Sequence, residues 1–320
     1  MAKEATQTKN GKAFEYALLI AFFERLNVVT NVSIINTAPF LTAKKCFELF
    51  ADKEQGLYNL NASFAVNFLI DLEPRLSNGI SDKDILELEI VSDKQGQTGD
   101  VRDVLAIRSL QKWEIGISAK NNHRAVKHQR LSAELNFGKE WIGTDCSDDY
   151  FQSIAPIFSY LEKCKKEELL WRNVPNKHSK VYVPILQAFM NEVIKLNNEN
   201  PENFPGLLVK YLIGNRDFYK VIKRKNKVEI QAFNLYGTLN SPFQKIKSKY
   251  KVSKVKLPDK LIEIAFKGNS KTTINLVFNE GWQFSFRLHS AESYVIPSLK
   301  FDVNLSSTPF SLFANQLLLG

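Results

Sequence analysis

Apolar residues recur along the first third of the chain with two different periods. In GKAFEYALLIAFFERL, Gly11 to Leu26, the side chains of Phe14, Leu18, Phe22 and Leu26 fall on one stripe, which predicts an amphipathic helix. A short helix is expected over Ala43 to Ala51, and another from residue 61 to Glu73, where Pro74 ends the pattern. Ile85 to Val91, Asp103 to Arg108 and Lys112 to Ala119 have strand lengths and strand alternation. Asn122 to Leu135 reads as a helix, with Asn121 placed to cap it. Tyr150 to Leu196 is mostly helical in pattern, with breaks expected at Pro156, around Pro175 and at Pro184.

NNENPENFPG, residues 197–206, is the strongest linker signal. Beyond it the chain turns lysine-rich and then β-rich, with strands expected at Leu261 to Phe266, Thr273 to Phe278 and Trp282 to Leu288. The fold class is therefore α/β (α+β): a mixed sheet flanked by helices with a helical extension over 1–196, and a basic, β-rich part over 207–320. The boundary is soft, since nothing in the pattern requires two independent domains.

Composition narrows the class. A hydrophobic content of 44% with 12% aromatics excludes a disordered chain of this length. No apolar run reaches the roughly 18 residues that a membrane span needs, and the polar start MAKEATQTKNGK lacks the apolar core of a secretory signal. Cys46, Cys146 and Cys164 are odd in number and widely spaced, a pattern of reduced thiols and neither a disulfide framework nor a zinc site. A cytoplasmic protein without a membrane partner is the expectation.

The net charge of +9 is localised. Residues 112–130 hold five Lys/Arg against one Glu, and residues 219–260 hold twelve against Glu229 and Asp259. The rest of the chain carries 26 basic and 31 acidic residues, so the excess lies in two stretches, as a polyanion footprint would. A solvated lysine-rich face is the plainer alternative.

Two of the expected strands bring polar groups to their ends. Asp100 and Asp103 open one, and Lys120 closes the next, in GDVRDVLAI and, ten residues on, SAK. Paired strands lie about 4.8 Å apart, so a carboxylate on one and a lysine on the other can share a site. Hydrolysis of a phosphodiester uses such a set: carboxylates hold a divalent cation, and a lysine orients the attacking water and stabilises developing charge. Asp103 runs directly into the apolar VLAI and is the better metal ligand; Asp100 is nearer the loop. Taken singly, each Asp could be a turn former and Lys120 a strand-edge residue.

The arrangement resembles the PD-(D/E)xK nuclease core. More closely, GKAFEYAL, GDVRDVLAI, EIGISAKNNHRAVKHQRLS and FRLHSAESYVIPSLKFDV are similar to the HaeIII-type family of type II restriction endonucleases, from about residue 10 to 310. The resemblance implies a bacterial enzyme of a restriction-modification system that cuts double-stranded DNA with Mg²⁺ at a short palindrome, GGCC, possible as a homodimer matching the two-fold symmetry of the site. It also implies a departure: the acidic position two before the lysine is Ser118, which can hydrogen-bond water but adds no charge. The superfamily often supplies a carboxylate from the first helix, and GKAFEYAL matches that segment, so Glu15 joins Asp103 as metal ligand. Lys120 is catalytic, with Ser118 and Asp100 in support.

For the DNA itself, His123, Arg124, Lys127, His128 and Arg130 form a basic element beside the site, read as phosphate-contacting. In the last β segment Phe284, Phe286 and Leu288 alternate with Ser285, Arg287 and His289, and Arg287 and His289 are suited to base edges. Lys245, Lys247 and Lys249 are read as phosphate grips. Two other readings stay open: a repair or structure-specific nuclease on the same core, and a DNA-binding protein without catalysis. A DNA methyltransferase is disfavoured, because no glycine-rich cofactor loop follows a strand and no cysteine follows a proline.

Overall fold

The computed structural model describes residues 2–92, 100–121 and 125–319. In chain order the elements begin with α1 (Ala2–Leu26), β1 (Val32–Ile34), α2 (Ala38–Glu48), α3 (Asp52–Leu72), β2 (Leu86–Ile90), β3 (Val104–Arg108) and β4 (Trp113–Asn121). There follow β5 (Ala125–Leu131), α4 (Phe137–Ile142), α5 (Asp148–Lys166), α6 (Val183–Glu199) and α7 (Phe204–Ile213). The last are β6 (Phe218–Lys223), β7 (Lys227–Phe233), β8 (Leu261–Phe266), β9 (Thr273–Phe278), β10 (Gln283–His289), β11 (Leu299–Ser307) and β12 (Phe313–Leu318).

The chain forms two compact units, each assembled from separated segments. The first takes residues 1–123, 214–255 and 311–320; the second takes 124–213 and 256–310. Residues 197–206, the expected linker, lie inside the second unit, where they end α6 and open α7.

The first unit is built on a seven-stranded sheet in the order β1-β2-β3-β4-β6-β7-β12. The pairs β1/β2 and β4/β6 are parallel and the others antiparallel. The α1 stripe of Phe14, Leu18, Phe22 and Leu26 is fully buried, in one core with Ala62, Val66 and Leu69 of α3 and with Ile115, Ile117 and Ala119 of β4. Those three β4 residues alternate with Gly116, Ser118 and Lys120, so the strand has an apolar side and a polar one.

The second unit has a five-stranded antiparallel sheet in the order β5-β11-β10-β9-β8. Phe284, Phe286, Leu288, Phe301 and Val303 are buried on one face. The ring of Phe189, on α6, lies 5.7 Å from Phe286 and 5.1 Å from Phe301, which seats that face on the helices.

Three expectations are corrected. The segment 122–135, read as a helix, supplies β5, whose register with β11 pairs His128 with Asp302 and Arg130 with Lys300. Leu131 and Leu135 have helical spacing, but β11 offers backbone partners to Ala125 and to residues 127–131, and that pairing decides the segment. Pro156 does not break α5: it lies on the exposed face, where water can take the carbonyl it leaves unpaired, while Ile154, Ile157, Phe158 and Leu161 hold the helix to the core. Finally, the lysine-rich stretch 219–260 is not one surface. Its first third forms β6 and β7 within the first sheet, where Lys220 is buried, and only its later part is an exposed loop.

Candidate active site

Asp103 stands immediately before β3, and its backbone N–H donates to the carbonyl of Ile117 at 2.8 Å, which sets it opposite Ser118 on β4. Three donors from β4 converge on its Oδ2: the backbone N–H of Ala119 at 2.7 Å, Nζ of Lys120 at 3.1 Å and Oγ of Ser118 at 3.3 Å. Ser118 is therefore tied to the carboxylate and occupies the place where the motif would have a second acid.

Glu15 sits beside Phe14 on α1 and is only 5% exposed, unlike an ordinary helix-surface glutamate. Nζ of Lys12, one turn earlier, donates to its Oε2 at 3.0 Å. Burial raises the Glu15 carboxyl to about 7, the negative charge of Asp103 adds to the rise, and Lys12 and Lys120 oppose it. Glu15 thus lies within electrostatic reach of Asp103 and Lys120, so α1, β3 and β4 bring these groups together.

Asp100 is placed elsewhere. Both its oxygens are taken by the guanidinium of Arg102, at 2.8 and 3.1 Å from Nε and 2.7 Å from Nη2. The same guanidinium donates from Nη1 to Glu114 at 2.8 Å. Its stem lies across Gly116: a Cβ there would stand 1.9 Å from Arg102 Cδ. The polar side of β4 is accordingly divided, with Glu114 and Gly116 serving the Arg102 clamp and Ser118 and Lys120 serving Asp103. Arg102 and Lys12 escape a reading of motifs. A glycine inside a strand was the signal for a close approach at 116, and the i,i+3 spacing of Lys12 and Glu15 was the signal for their pair.

Of the expected DNA-contacting residues, His123 and Arg124 lie outside the described residues. His128 and Arg130 share the polar face of the second sheet with Arg287 and His289. Lys127 does not join them: it points to the other face, where Nζ donates to the carbonyl of Tyr211 at 2.7 Å and lies 3.3 Å from the centre of its ring. Burial lowers its ammonium to about 8. Lys245, Lys247 and Lys249 are exposed on the loop after β7, with Lys249 paired to Asp71 at 2.8 Å.

Among the described residues no group of three or more His, Cys, Asp and Glu is placed to hold a metal. Two carboxylates, Glu15 and Asp103, are what the site offers. Such a set fits a small hard cation that keeps several waters and takes further oxygens from substrate phosphate, and it does not fit a metal caged by protein alone. No described helix is long and apolar enough to cross a membrane.

Two carboxylates beside a lysine, carried on a helix and two paired strands, are the groups that cation-assisted phosphodiester hydrolysis uses. The family model for the HaeIII restriction endonuclease matches residues 11–309. The chain is 38% identical over 305 residues to the type II restriction enzyme HaeIII of Haemophilus aegyptius, an alignment covering 95% of each chain. It therefore belongs to the HaeIII restriction endonuclease family. Membership carries the activity: cleavage of double-stranded DNA at a short palindromic site, with a divalent cation. No solved structure matches the chain.

Proposed function

We propose that the first unit is a PD-(D/E)xK nuclease core in which Glu15 and Asp103 hold Mg²⁺, Lys120 is the catalytic lysine, and the target is GGCC. The observation that carries the site is the convergence of Lys120, Ser118 and the Ala119 N–H on one oxygen of Asp103. When bound, the cation supplies a Lewis acid that favours ionisation of water and offsets charge on the phosphoryl oxygens. Asp103 and Glu15 would hold the cation, whose positive charge would favour the ionised form of the raised Glu15 carboxyl. Lys120, held at Asp103, turns to the attacking water and stabilises negative charge as it develops on the phosphate. Ser118 fixes Asp103 without adding charge. Asp100 acts through the Arg102 clamp as support for the strands and does not touch the reacting atoms.

In this reading the polar face of the second sheet, with His128, Arg130 and Arg287, meets the bases, and Lys245, Lys247 and Lys249 grip phosphates. A homodimer in the bacterial cytoplasm would match a palindrome. The test is to incubate the protein with Mg²⁺ and DNA carrying GGCC sites. Discrete fragments ending at GGCC are expected. Unspecific nicking or cutting confined to branched DNA would favour a repair nuclease, and binding with no product would overturn the catalytic assignment.

A further inference from the structure

The polar face of the second sheet carries an acid among its cations. Asp302 lies on β11, in register with His128 of β5 on one side and Arg287 of β10 on the other. The row continues to Thr273 on β9, so Thr273, Arg287, Asp302 and His128 stand side by side across four strands. In the next row His289, Lys300 and Arg130 are in register. A carboxylate in the middle of a surface meant for DNA repels phosphate unless it does something else there.

Its two oxygens are both occupied. Nδ1 of His128 lies 2.7 Å from Oδ1, and Nε2 of His289 lies 2.9 Å from Oδ2. The first is a hydrogen bond; the second is an ion-pair contact off the hydrogen-bond axis. The remaining nitrogen of His289, Nδ1, is 2.8 Å from the carbonyl oxygen of Ser290. Nδ1 of His289 therefore carries a proton, since a carbonyl oxygen can only accept, and the carboxylate oxygen 2.9 Å from Nε2 favours a second proton there. For His128 the same reasoning fixes one proton on Nδ1, towards Asp302, and leaves Nε2 directed away from it.

We propose that Asp302 is a positioning residue of the DNA-reading face, neutralised by a charged His289 and fixing the ring of His128 so that its Nε2 and the guanidinium of Arg287 are presented together to base edges. The inference rests on the assignment of this face to DNA made above. Arg287 is exposed, beside Asp302 but on the neighbouring strand, and His128 is two strands from it, so that their backbones lie about 10 Å apart at the usual spacing. The partner chemistry is that of a G·C pair: guanine N7 and O6 accept from Arg287, and the amino group on cytosine C4 donates to the bare Nε2 of His128. His289 itself is spent on Asp302 and Ser290 and reads nothing. The Asp302 carboxylate beside it raises the His289 imidazole, with burial and Arg287 opposing, and both histidines hold the Asp302 carboxyl well below the usual range against its burial. The other charged and titratable groups around the bridge are Arg130 on β5, Lys300 on β11, and Tyr182, whose hydroxyl bonds Ser290.

The experiment has two readouts on the full-length protein. The chain has four histidines, so their ring signals can be followed individually by NMR as pH is raised. One of them is expected to stay charged to a higher pH than the ordinary 6.5, and in Asp302→Asn to titrate at or below it. A wild-type His289 that titrates at or below 6.5 overturns the bridge without any variant. The second readout is affinity for a GGCC duplex and for a scrambled duplex, measured with Ca²⁺ as the cation. Asp302→Asn should lose about tenfold of the preference for GGCC, the weight of one base contact, and bind the scrambled duplex as before. Asp302→Ser repeats the measurement should the first variant fold poorly. An unchanged preference with a shifted titration would overturn the positioning role. An unchanged preference in Arg287→Ala would instead remove the face from DNA, so the two failures are distinct.

Discussion

At the scale of residues, the side chains of one strand divide sharply by neighbour. Lys120 touches Asp103 and is expected to be indispensable to chemistry and dispensable to binding. Lys120→Ala should abolish cleavage while duplex affinity stays within about tenfold, because a single phosphate or water contact is worth little of a protein–DNA affinity. Substantial residual cutting would contradict the role. Gly116 has the opposite character. A methyl group there meets the Cδ, Cγ and Cβ atoms of Arg102, which cannot retreat without releasing Asp100 and Glu114. Gly116→Ala should destabilise the protein by roughly 1–3 kcal/mol, the usual result of overpacking. Adding Arg102→Ala should then cost less than it does alone, since the two closest atoms, Cδ and Cγ, have gone and only the contact with Cβ remains. Denaturant unfolding of the two single variants and the double variant decides this; strict additivity would show that the two residues do not meet. Asp103 and Lys120 were legible in sequence because strand spacing alone brings them together. Glu15 needed the family resemblance, since its burial comes from a helix packed over a sheet that no local pattern records. Arg102 was hidden because its partners are two and twelve residues away and only pairing of β3 with β4 closes the clamp.

At the scale of elements, long periodic segments were readable and segments shaped by distant partners were not. The α1 stripe and the strands β2, β3 and β4 announced themselves. β5 did not, because a short basic segment has no apolar period of its own and pairs with a strand some 170 residues further on. β6 was obscured by its lysines, although Tyr219, Val221 and Ile222 are buried in it. Tyr219 also anchors the end of α3: its hydroxyl donates to Oε1 of Glu73 at 2.7 Å, and the N–H of Asn240 donates to the same oxygen at 2.6 Å. Glu73 is fully buried, and burial raises its carboxyl from 4.5 to about 7 against these two bonds. The sign follows from linkage. The fold prefers the neutral carboxyl, so this stabilisation is present below pH 4.5 and is lost as pH rises through about 7. The full swing is roughly 3 kcal/mol at 1.36 kcal/mol per unit. Glu73→Gln keeps an acceptor at Oε1 and cannot ionise. Its stability relative to the natural protein should therefore improve between pH 5 and pH 8, as measured by urea unfolding. A constant difference across that range would show that Glu73 does not titrate there.

At the scale of the whole molecule, charge proved more divided than its sequence blocks suggested. The block 112–130 is split between the two units, with Lys120 in the first and Lys127, inward on Tyr211, and Arg130 in the second. The block 219–260 is split between buried strand and exposed loop. What remains as a candidate for phosphate is the run QKIKSKYK, Gln244 to Lys251, in the first unit. Phe243, Val252 and Val255 are buried at its ends and hold it down, and Lys245, Lys247, Lys249 and Lys251 are exposed between them. Each lysine that meets a phosphate on binding releases a counterion and contributes about 0.9 to the slope of log affinity against log salt. Replacing Lys245, Lys247 and Lys251 together by Gln should lower that slope by up to roughly 3 and weaken GGCC and scrambled duplexes alike, because phosphate carries no sequence information. Lys249 is distinct, since Asp71 holds its ammonium at 2.8 Å and any gain from phosphate must be set against that pair. Lys249→Gln alone should therefore change the slope less than Lys247→Gln alone. Fluorescence anisotropy between about 50 and 200 mM salt resolves both comparisons. An unchanged slope in the triple variant would make this run an ordinary solvated surface and return the phosphate contacts to the second unit.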